Sequence, residues 1–175
     1  FGLIQERIRG SLFALVVQAV LWNRTTAIAG RPVLFQILTA YPTPEALAAA
    51  SVDDLVSMIY TLGLHKRAHT LISLATIWLL SPPSPDRRYP LRKGTQSQPL
   101  LEPDDEGEGW EVAHLPGLGQ YAMDSYRIFF RDRLRGHEGC EDKDFEPEWK
   151  NVVPRDKDLR AYLVWRWREE GWKWD

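Results

Sequence analysis

Leu115-Pro116-Gly117-Leu118-Gly119-Gln120-Tyr121 is the stretch around which the rest of the fold is predicted. Proline fixes φ ahead of two glycines, and glycine adopts backbone conformations that a side chain would forbid. The stretch therefore predicts the end of one short helix, a tight turn and the start of a second helix. Two glycines at this spacing also leave backbone N–H groups accessible at a helix start, where the dipole favours a phosphate. An ordinary turn between helices is the alternative interpretation.

Patterns typical of helices lie on both sides of this stretch. Apolar spacing and capping residues predict helices over 4–22, 33–40, 44–47, 55–60, 66–80, 120–133 and 156–170. Thr43 and Ser51 are predicted N-caps, and Gly63 is a predicted C-terminal cap. Two polar stretches, 81–109 and 134–151, are predicted insertions, and the first is predicted to be disordered or loosely held. No convincing strand is predicted. We therefore expect one all-α domain over residues 1–175, in which many short helices form two lobes with a cleft between them.

The charge balance argues mildly against a nucleic-acid partner, because 22 basic and 24 acidic side chains give a formal net charge of −2. The acids are segregated, however: residues 101–109 hold five acids and no base, and residues 138–148 are also acid-rich. Without these two stretches the remainder is basic. The single cysteine, Cys140, excludes an intramolecular disulfide and a cysteine-ligated zinc or iron–sulfur site. No apolar run is long enough to span a membrane, and no signal peptide precedes Phe1, so we expect an excised intracellular domain.

Several separated segments together resemble one family. The Leu-Pro-Gly-Leu-Gly hairpin at 115–119, followed downstream by Pro154 and Asp156 at a helix start, resembles the helix-hairpin-helix DNA glycosylase superfamily. Residues 3–6, 21–25, 62–64, 67–68, 119–121, 124–129 and 165–167 are similar to one branch of it, the methyl-CpG-binding-domain mismatch glycosylases, which remove thymine or uracil opposite guanine. The resemblance skips the two insertions. It implies a monomeric, nuclear base-excision-repair enzyme that acts on double-stranded DNA containing a mismatched pyrimidine.

Asp156 is the catalytic carboxylate that the resemblance implies. Breaking an N-glycosidic bond develops positive charge on the sugar, and a nearby carboxylate stabilises that charge and assists attack by water. A simple cap on the last helix is the alternative role. Two other acids compete for the assignment: Asp158 is expected to face elsewhere, and Asp124 is expected to serve structure. Asp156 lies 35 positions after Tyr121, more than is usual in the family, so its assignment depends on Pro154 and the following helix.

Tyr121 and Gln5 are the residues that the resemblance places at the substrate base. Relatives such as endonuclease III carry a lysine where this chain has Tyr121, and a phenol cannot form the Schiff base that precedes strand cleavage. The expected chemistry is therefore base removal alone. Tyr121 suits stacking or hydrogen bonding against a flipped pyrimidine, and a packed aromatic is the alternative. Gln5 matches the base-reading glutamine, since an amide offers both a donor and an acceptor. A surface glutamine is its alternative.

Arg24 and Leu64 match the residues that enter the duplex in this family. Arg24 would fill the space left by the extruded base, and Leu64 would insert beside the orphaned guanine. A solvated loop arginine and a contact of the Gly63 helix cap are the alternatives.

The remaining implied contacts are with phosphates. The amides of Gly117 and Gly119 would hold a phosphate of the damaged strand, and Lys66 and Arg67 would add further contacts. A solvated charged surface is the alternative for the two basic residues. The resemblance also implies a monovalent cation held by hairpin carbonyls, with no iron–sulfur cluster and no other metal.

The leading hypothesis is thus a monofunctional DNA glycosylase for G:T and G:U mispairs. A non-catalytic helix-hairpin-helix DNA-binding module and a glycosylase for another damaged base are the two alternatives. A pyrimidine substrate is favoured by the pairing of Gln5 with Tyr121.

Overall fold

The computed structural model describes residues 1–63, 65–91, 100–102, 104–140, 142 and 144–171. Within these ranges the chain forms nine α-helices, two 3₁₀ helices and no strand, which confirms the all-α fold class. The α-helices are α1 Ile4–Ile8, α2 Leu12–Trp22, α3 Ala27–Ala40, α4 Pro44–Ala48, α5 Val52–Ile59, α6 Lys66–Leu80, α7 Gln120–Phe129, α8 Arg131–Leu134 and α9 Lys157–Glu169. The 3₁₀ helices are Tyr60–Leu62 and Glu148–Asn151.

Two of the predicted helix boundaries near the amino end are wrong. The helix predicted over 4–22 is divided in two, because the Ser11 side chain accepts a hydrogen bond from the Ala14 amide (3.1 Å) and starts α2 anew. The helix predicted over 33–40 starts six residues earlier, at Ala27 after the N-cap Thr26, so Pro32 lies inside α3. Proline cannot donate to the carbonyl four residues before it, that of Ile28. Ile28 is 90% exposed, so this interruption lies at the surface of the protein.

Other boundaries follow the predicted caps. Thr43 starts α4, Ser51 starts α5, and Gly63, with a φ of 65°, ends the helical segment after α5. The helix predicted over 66–80 has those bounds. The helix predicted over 120–133 is interrupted at Phe130, whose φ of −140° is not helical, and Asp156 is the N-cap of α9 rather than its first residue.

The hydrophobic core consists of two clusters of buried side chains. The larger one, the first cluster, is centred on α2, whose residues 12–21 are all buried. The second cluster is formed by Ile128, Trp149, Val152, Leu159, Tyr162 and Leu163. Tyr121 is half-buried and packs against both clusters. A helix that is buried on all sides is a central packing element, so the other helices of the first cluster pack around α2.

The described part of the first predicted insertion is not loosely held. Tyr89 exchanges two backbone hydrogen bonds with Trp110 (2.8 and 3.1 Å), and its ring stacks on His114 with centroids 4.2 Å apart. Tyr89 also packs against the first cluster. The prediction of disorder is therefore wrong for these residues, because one aromatic side chain anchors a stretch of polar composition. Residues 92–99 and 103 lie outside the described residues.

A buried network of charges fixes α7 against its neighbours. Glu111, only 1% exposed, accepts hydrogen bonds from the Tyr126 hydroxyl (2.9 Å) and the Arg131 Nε (3.2 Å). Arg131 also pairs with Glu148 (2.8 Å), and Glu148 pairs with Arg127 (2.5 Å). Burial and the charge of Glu111 raise the pKa of Tyr126, so its hydroxyl stays a donor. Removing one partner from such a network leaves an uncompensated buried charge, which costs about 3–5 kcal/mol.

Candidate active site

The hairpin before α7 is built from turns. The predicted helix ahead of it is absent: the amides of Ala113 and Leu115 bond to carbonyls only three residues back (3.2 and 3.1 Å), giving consecutive turns over 110–115. Gly117 has a φ of 79°, the value of the third residue of a type II turn that has proline second. A Cβ on Gly117 would lie 2.5 Å from the Thr70 Cγ2 and 3.2 Å from the Val20 Cγ2. Glycine is therefore required here by conformation and by space.

Gly119 differs from Gly117. Its φ of −109° and ψ of −161° are open to any residue, so the prediction that its backbone needs glycine is wrong. No atom lies within 4 Å of a Cβ built on Gly119, so the space in front of its backbone is open. Gly119 is the N-cap of α7, and no side chain caps that helix. The first amides of α7 therefore face a space that an anion can approach closely.

The carbonyls on the other side of the hairpin are also available. Within the described residues, no hydrogen bond is accepted by the backbone oxygens of residues 115–118. Carbonyl oxygens are ligands that hard cations accept, and the monovalent cation that the family resemblance implies stays a prediction for this hairpin. Such an ion would stiffen the hairpin.

A cavity of about 650 Å³ lies beside the hairpin. Its wall is formed by α1, the loop between α2 and α3, the hairpin and the first residues of α9. Six of the residues predicted for the site line it together: Gln5, Arg24, Gly117, Gly119, Tyr121 and Asp156. Side chains from four separate parts of the sequence thus converge on one space.

The Tyr121 hydroxyl is held by two glutamines. The Gln5 Nε2 donates to it at 2.8 Å and the Gln18 Nε2 donates to it at 2.9 Å. Burial raises the pKa of Tyr121, and the negative charge of Asp156 adds to the rise, so the phenol stays neutral. Because both amides donate, the hydroxyl proton of Tyr121 is left to donate elsewhere.

Gln18 is a site residue that the sequence analysis missed. It is fully buried in α2, and its Oε1 has no hydrogen-bond partner within the described residues. A buried amide with one unpaired atom costs free energy, so we interpret the bond from Gln18 to Tyr121 as a positioning contact. The available signal was one glutamine in the otherwise apolar run LFALVVQAVLW.

Asp156 presents one carboxylate oxygen to its own helix. Its Oδ1 accepts hydrogen bonds from the amides of Asp158 and Leu159, both at 3.0 Å. In the part of the chain that the structure describes, its Oδ2 accepts no hydrogen bond, and Asp156 lines the cavity. The two roles considered for Asp156, cap and catalytic carboxylate, are thus compatible, because different oxygens serve them.

The competing acids are placed differently from each other. Asp158 is among the residues that line the cavity, so it stays a competing acid at this site. Asp124 is buried outside the cavity lining, where its Oδ1 accepts a bond from the Gln120 Nε2 (2.8 Å). Burial raises the pKa of Asp124. Its position fits the structural role expected of it.

Lys157 is a second cavity residue that the sequence analysis missed. It follows Asp156 at the start of α9, is exposed, and is among the residues that line the cavity. Nothing in the sequence around it distinguishes it from an ordinary surface lysine.

Arg24 lies where two spaces meet. Its φ of 67° is left-handed, an unusual backbone for arginine, and it lines both the cavity and a groove of about 480 Å³. The groove also includes Lys66 and Arg67, and Lys66 is exposed. Leu64, predicted to insert into the duplex, lies outside the described residues.

The guanidinium of Arg67 is occupied by the end of α2. It donates to the carbonyls of Val20 and Leu21 (both 2.9 Å) and to that of Asn23. Carbonyls at a helix end attract a cation, so this contact fixes the turn that carries Arg24. Burial lowers the pKa of Arg67.

No group of three or more His, Cys, Asp or Glu side chains is close enough to hold a metal ion within the described residues. None of the described helices is long and apolar enough to cross a membrane.

Comparison with known proteins adds one relative. No family model matches the chain. The chain is similar to a protein named thymine-DNA glycosylase from Aeropyrum pernix, with 42% identity over 110 residues, which are 62% of this chain and 41% of the relative. The chain thus spans less than half of that relative's length.

Proposed function

We propose that the chain is a monofunctional DNA glycosylase that removes thymine or uracil mispaired with guanine. The observation that carries the proposal is the convergence of Asp156, Tyr121 and Gln5 on one cavity beside an uncapped helix start. The named activity of the relative, thymine-DNA glycosylase, agrees with it. A flipped nucleotide would enter the cavity, since the target bond is inaccessible inside a duplex.

Asp156 would act on the sugar of the flipped nucleotide. As the bond between C1′ and the base nitrogen breaks, its electron pair leaves with the base and the sugar gains oxocarbenium character. The Oδ2 of Asp156, which is not engaged by the helix, would stabilise that cation and accept a proton from the attacking water. The two amide bonds to Oδ1 keep the carboxylate in a fixed orientation.

Gln5 and Tyr121 would read the base. The Gln5 Nε2 is engaged by Tyr121, and its Oε1 accepts no hydrogen bond within the described residues. That oxygen suits the N3–H donor of thymine or uracil, and the Tyr121 proton suits a carbonyl oxygen of the same ring. Cytosine has an acceptor at N3, so it would face the Gln5 oxygen with no proton between them. The arrangement therefore favours thymine and uracil over cytosine.

The DNA itself would be held by the hairpin and by the turn after α2. The open amides at Gly119 suit a phosphate, and Arg24, which lines the cavity, would enter the duplex as the base leaves. Lys66 would contact a phosphate next to it. Arg67 would act indirectly, because its guanidinium already holds the turn that carries Arg24. Leu64 stays a prediction.

A single-turnover assay on labelled G:T, G:U and A:T duplexes tests the proposal. Each reaction is divided, and one half is treated with alkali, which cleaves DNA at an abasic site. We expect cleavage of G:T and G:U only after alkali. Cleavage without alkali would contradict the monofunctional assignment and would point to the Lys157 amine as the nucleophile. If no duplex is cleaved with or without alkali, the proposed glycosylase activity is contradicted.

Asp156→Asn separates catalysis from helix capping. Asparagine caps a helix about as well as aspartate, so the variant keeps α9 while removing the charge. We expect loss of base release with duplex binding retained. Asp158→Asn is the matched control, because Asp158 lines the same cavity and lies in the first turn of the same helix. If both variants behave alike, Asp156 has no special role.

The alternative function is a DNA-binding module without catalysis. It is favoured by the two cap bonds of Asp156, which would suffice to explain the residue. This alternative predicts equal binding of G:T and A:T duplexes and no released base.

A further inference from the structure

A groove of about 540 Å³ runs along α9, outside the cavity of the candidate active site. Four cationic side chains line it: Arg155, Lys157, Arg160 and Arg168. Between them lie apolar side chains, including Ala161 and Val164. Among the described residues, no acidic side chain lines this α9 groove, although the chain as a whole carries a net charge of −2.

The positive charge of the groove is not neutralised by the protein. Within the described ranges, Arg155, Lys157 and Arg168 form no salt bridge, and all three are exposed. Arg160 donates only to the carbonyl of Pro154 (3.3 and 3.4 Å), so its charge also has no carboxylate partner. The buried arginines of the network around Glu148 are, in contrast, fully paired. Four unpaired cations on one side of a helix attract a polyanion.

The groove has the length of a short stretch of nucleic-acid strand. Lys157, Arg160, Val164 and Arg168 recur at three- and four-residue spacing, which places them on one face of α9. From Lys157 to Arg168 the helix advances about 16 Å. A DNA strand carries one phosphate per roughly 3.4 Å of helix axis, so several phosphates lie within reach of this face.

Lys157 lines both the α9 groove and the cavity of the candidate active site, so the two spaces adjoin at this residue. A strand whose nucleotide occupies the cavity must leave it over the rim, and the start of α9 is part of that rim. We propose that the α9 groove binds the sugar–phosphate backbone of the strand that carries the target nucleotide, extending the DNA contact beyond the hairpin. The cations meet the phosphates, and the apolar floor at Ala161 and Val164 meets the deoxyribose. This proposal rests on the proposed glycosylase function.

The test measures duplex binding as a function of salt. Arg155→Gln/Arg168→Gln removes two cations that line the groove and leaves Lys157, next to Asp156, in place. Each phosphate contact contributes a slope of about −0.9 to log K against log salt, which at 0.1 M salt is roughly eightfold in affinity. We therefore expect the slope to flatten by about 1.8 and the affinity to fall, by about the same factor for A:T and G:T duplexes.

Two further variants make the result specific to this surface. Arg135→Gln removes an exposed arginine at the end of α8, far along the chain from the groove, and is expected to leave the slope unchanged. Arg155→Lys/Arg168→Lys keeps the charges and is expected to restore most of the slope. Circular dichroism of each variant verifies that α9 is folded.

The outcomes distinguish this surface from the proposed function. If the double glutamine variant has the salt slope of the Arg135→Gln variant, the groove does not bind DNA and the proposal is overturned, whatever the glycosylase assay gives. If the slope flattens as expected while the unaltered chain releases no base, the surface stands and the glycosylase function fails.

Discussion

Replacing Gly117 by alanine tests the central feature of the hairpin. An alanine at φ 79° costs about 1 kcal/mol relative to glycine, because its Cβ crowds the following carbonyl. The same Cβ would lie 2.5 Å from the Thr70 Cγ2, far inside van der Waals contact, so Thr70 must rotate or α6 must move. Overpacking of this kind costs about 1–2 kcal/mol. We expect Gly117→Ala to lower the free energy of unfolding by about 2–3 kcal/mol in total.

The two parts of that cost can be separated. Thr70→Ser deletes the methyl group that the new Cβ would meet and keeps the hydroxyl that donates to the Lys66 carbonyl. In the double variant Gly117→Ala/Thr70→Ser we expect the packing part to be recovered and the backbone part, about 1 kcal/mol, to remain. Urea unfolding of the single and double variants, monitored by tryptophan fluorescence, gives a double-mutant cycle and its coupling energy. A coupling energy of zero would refute the geometry described for the hairpin.

Gly119→Ala is the matched control within the same turn. Its backbone is ordinary and no atom lies within 4 Å of the new Cβ, so we expect stability within about 0.5 kcal/mol of the unaltered chain. Duplex affinity should nevertheless fall, because the methyl group occupies the space in front of the α7 amides. A loss of stability as large as that of Gly117→Ala would show that the two glycines have the same role, contrary to the structure.

Three further variants test the surroundings of the site. Gln18→Leu should slow single-turnover base release by roughly tenfold, the equivalent of one hydrogen bond. The free energy of unfolding should change little, because the unpaired Oε1 is removed together with the bond. An unchanged rate would mean that Gln18 does not position Tyr121. Asp124→Asn should become more stable than the unaltered chain as the pH rises above about 4. Burial raises the pKa of Asp124 from its ordinary 3.8, so the unaltered chain loses the stability of its protonated carboxyl as the pH rises through the raised pKa. Urea unfolding between pH 4 and 7 gives the sign of the difference. Arg67→Lys should lower the free energy of unfolding by about 1–2 kcal/mol, since one ammonium cannot reach all the carbonyls that the guanidinium holds. Thermal melting measures the loss of stability. Unchanged stability with weakened DNA binding would show that Arg67 contacts a phosphate directly.

Local sequence signals predicted much of the fold. Caps at Thr43 and Ser51 and the break at Gly63 identified element ends because each depends on one side chain and its own neighbours. The interruption at Ser11 was missed, since the apolar pattern continues across it and only the cap bond reveals the break. The Tyr89 anchor was missed because its partners, Trp110 and His114, are distant in sequence.

The candidate site shows the same division. The family resemblance placed Gln5, Tyr121 and Asp156 together, and they line one cavity. Gln18 and Lys157 were missed because each looks ordinary along the chain: a polar residue in a buried helix, and a lysine at a helix start. Their relevance becomes clear only in the fold, where Gln18 on α2 bonds to Tyr121 and Lys157 on α9 lines the same cavity as Asp156.

The contact of Tyr121 with both hydrophobic clusters has a mechanical consequence. The first cluster carries α2 with Gln18, and the second carries α9, whose cap is Asp156. A small relative displacement of the two clusters would change the position of the phenol relative to its amide donors and to the carboxylate together. The geometry of the cavity therefore depends on how firmly the two clusters pack against each other. A core substitution far from the cavity that loosens either cluster would first change the position of the Tyr121 hydroxyl relative to Gln18 and Asp156.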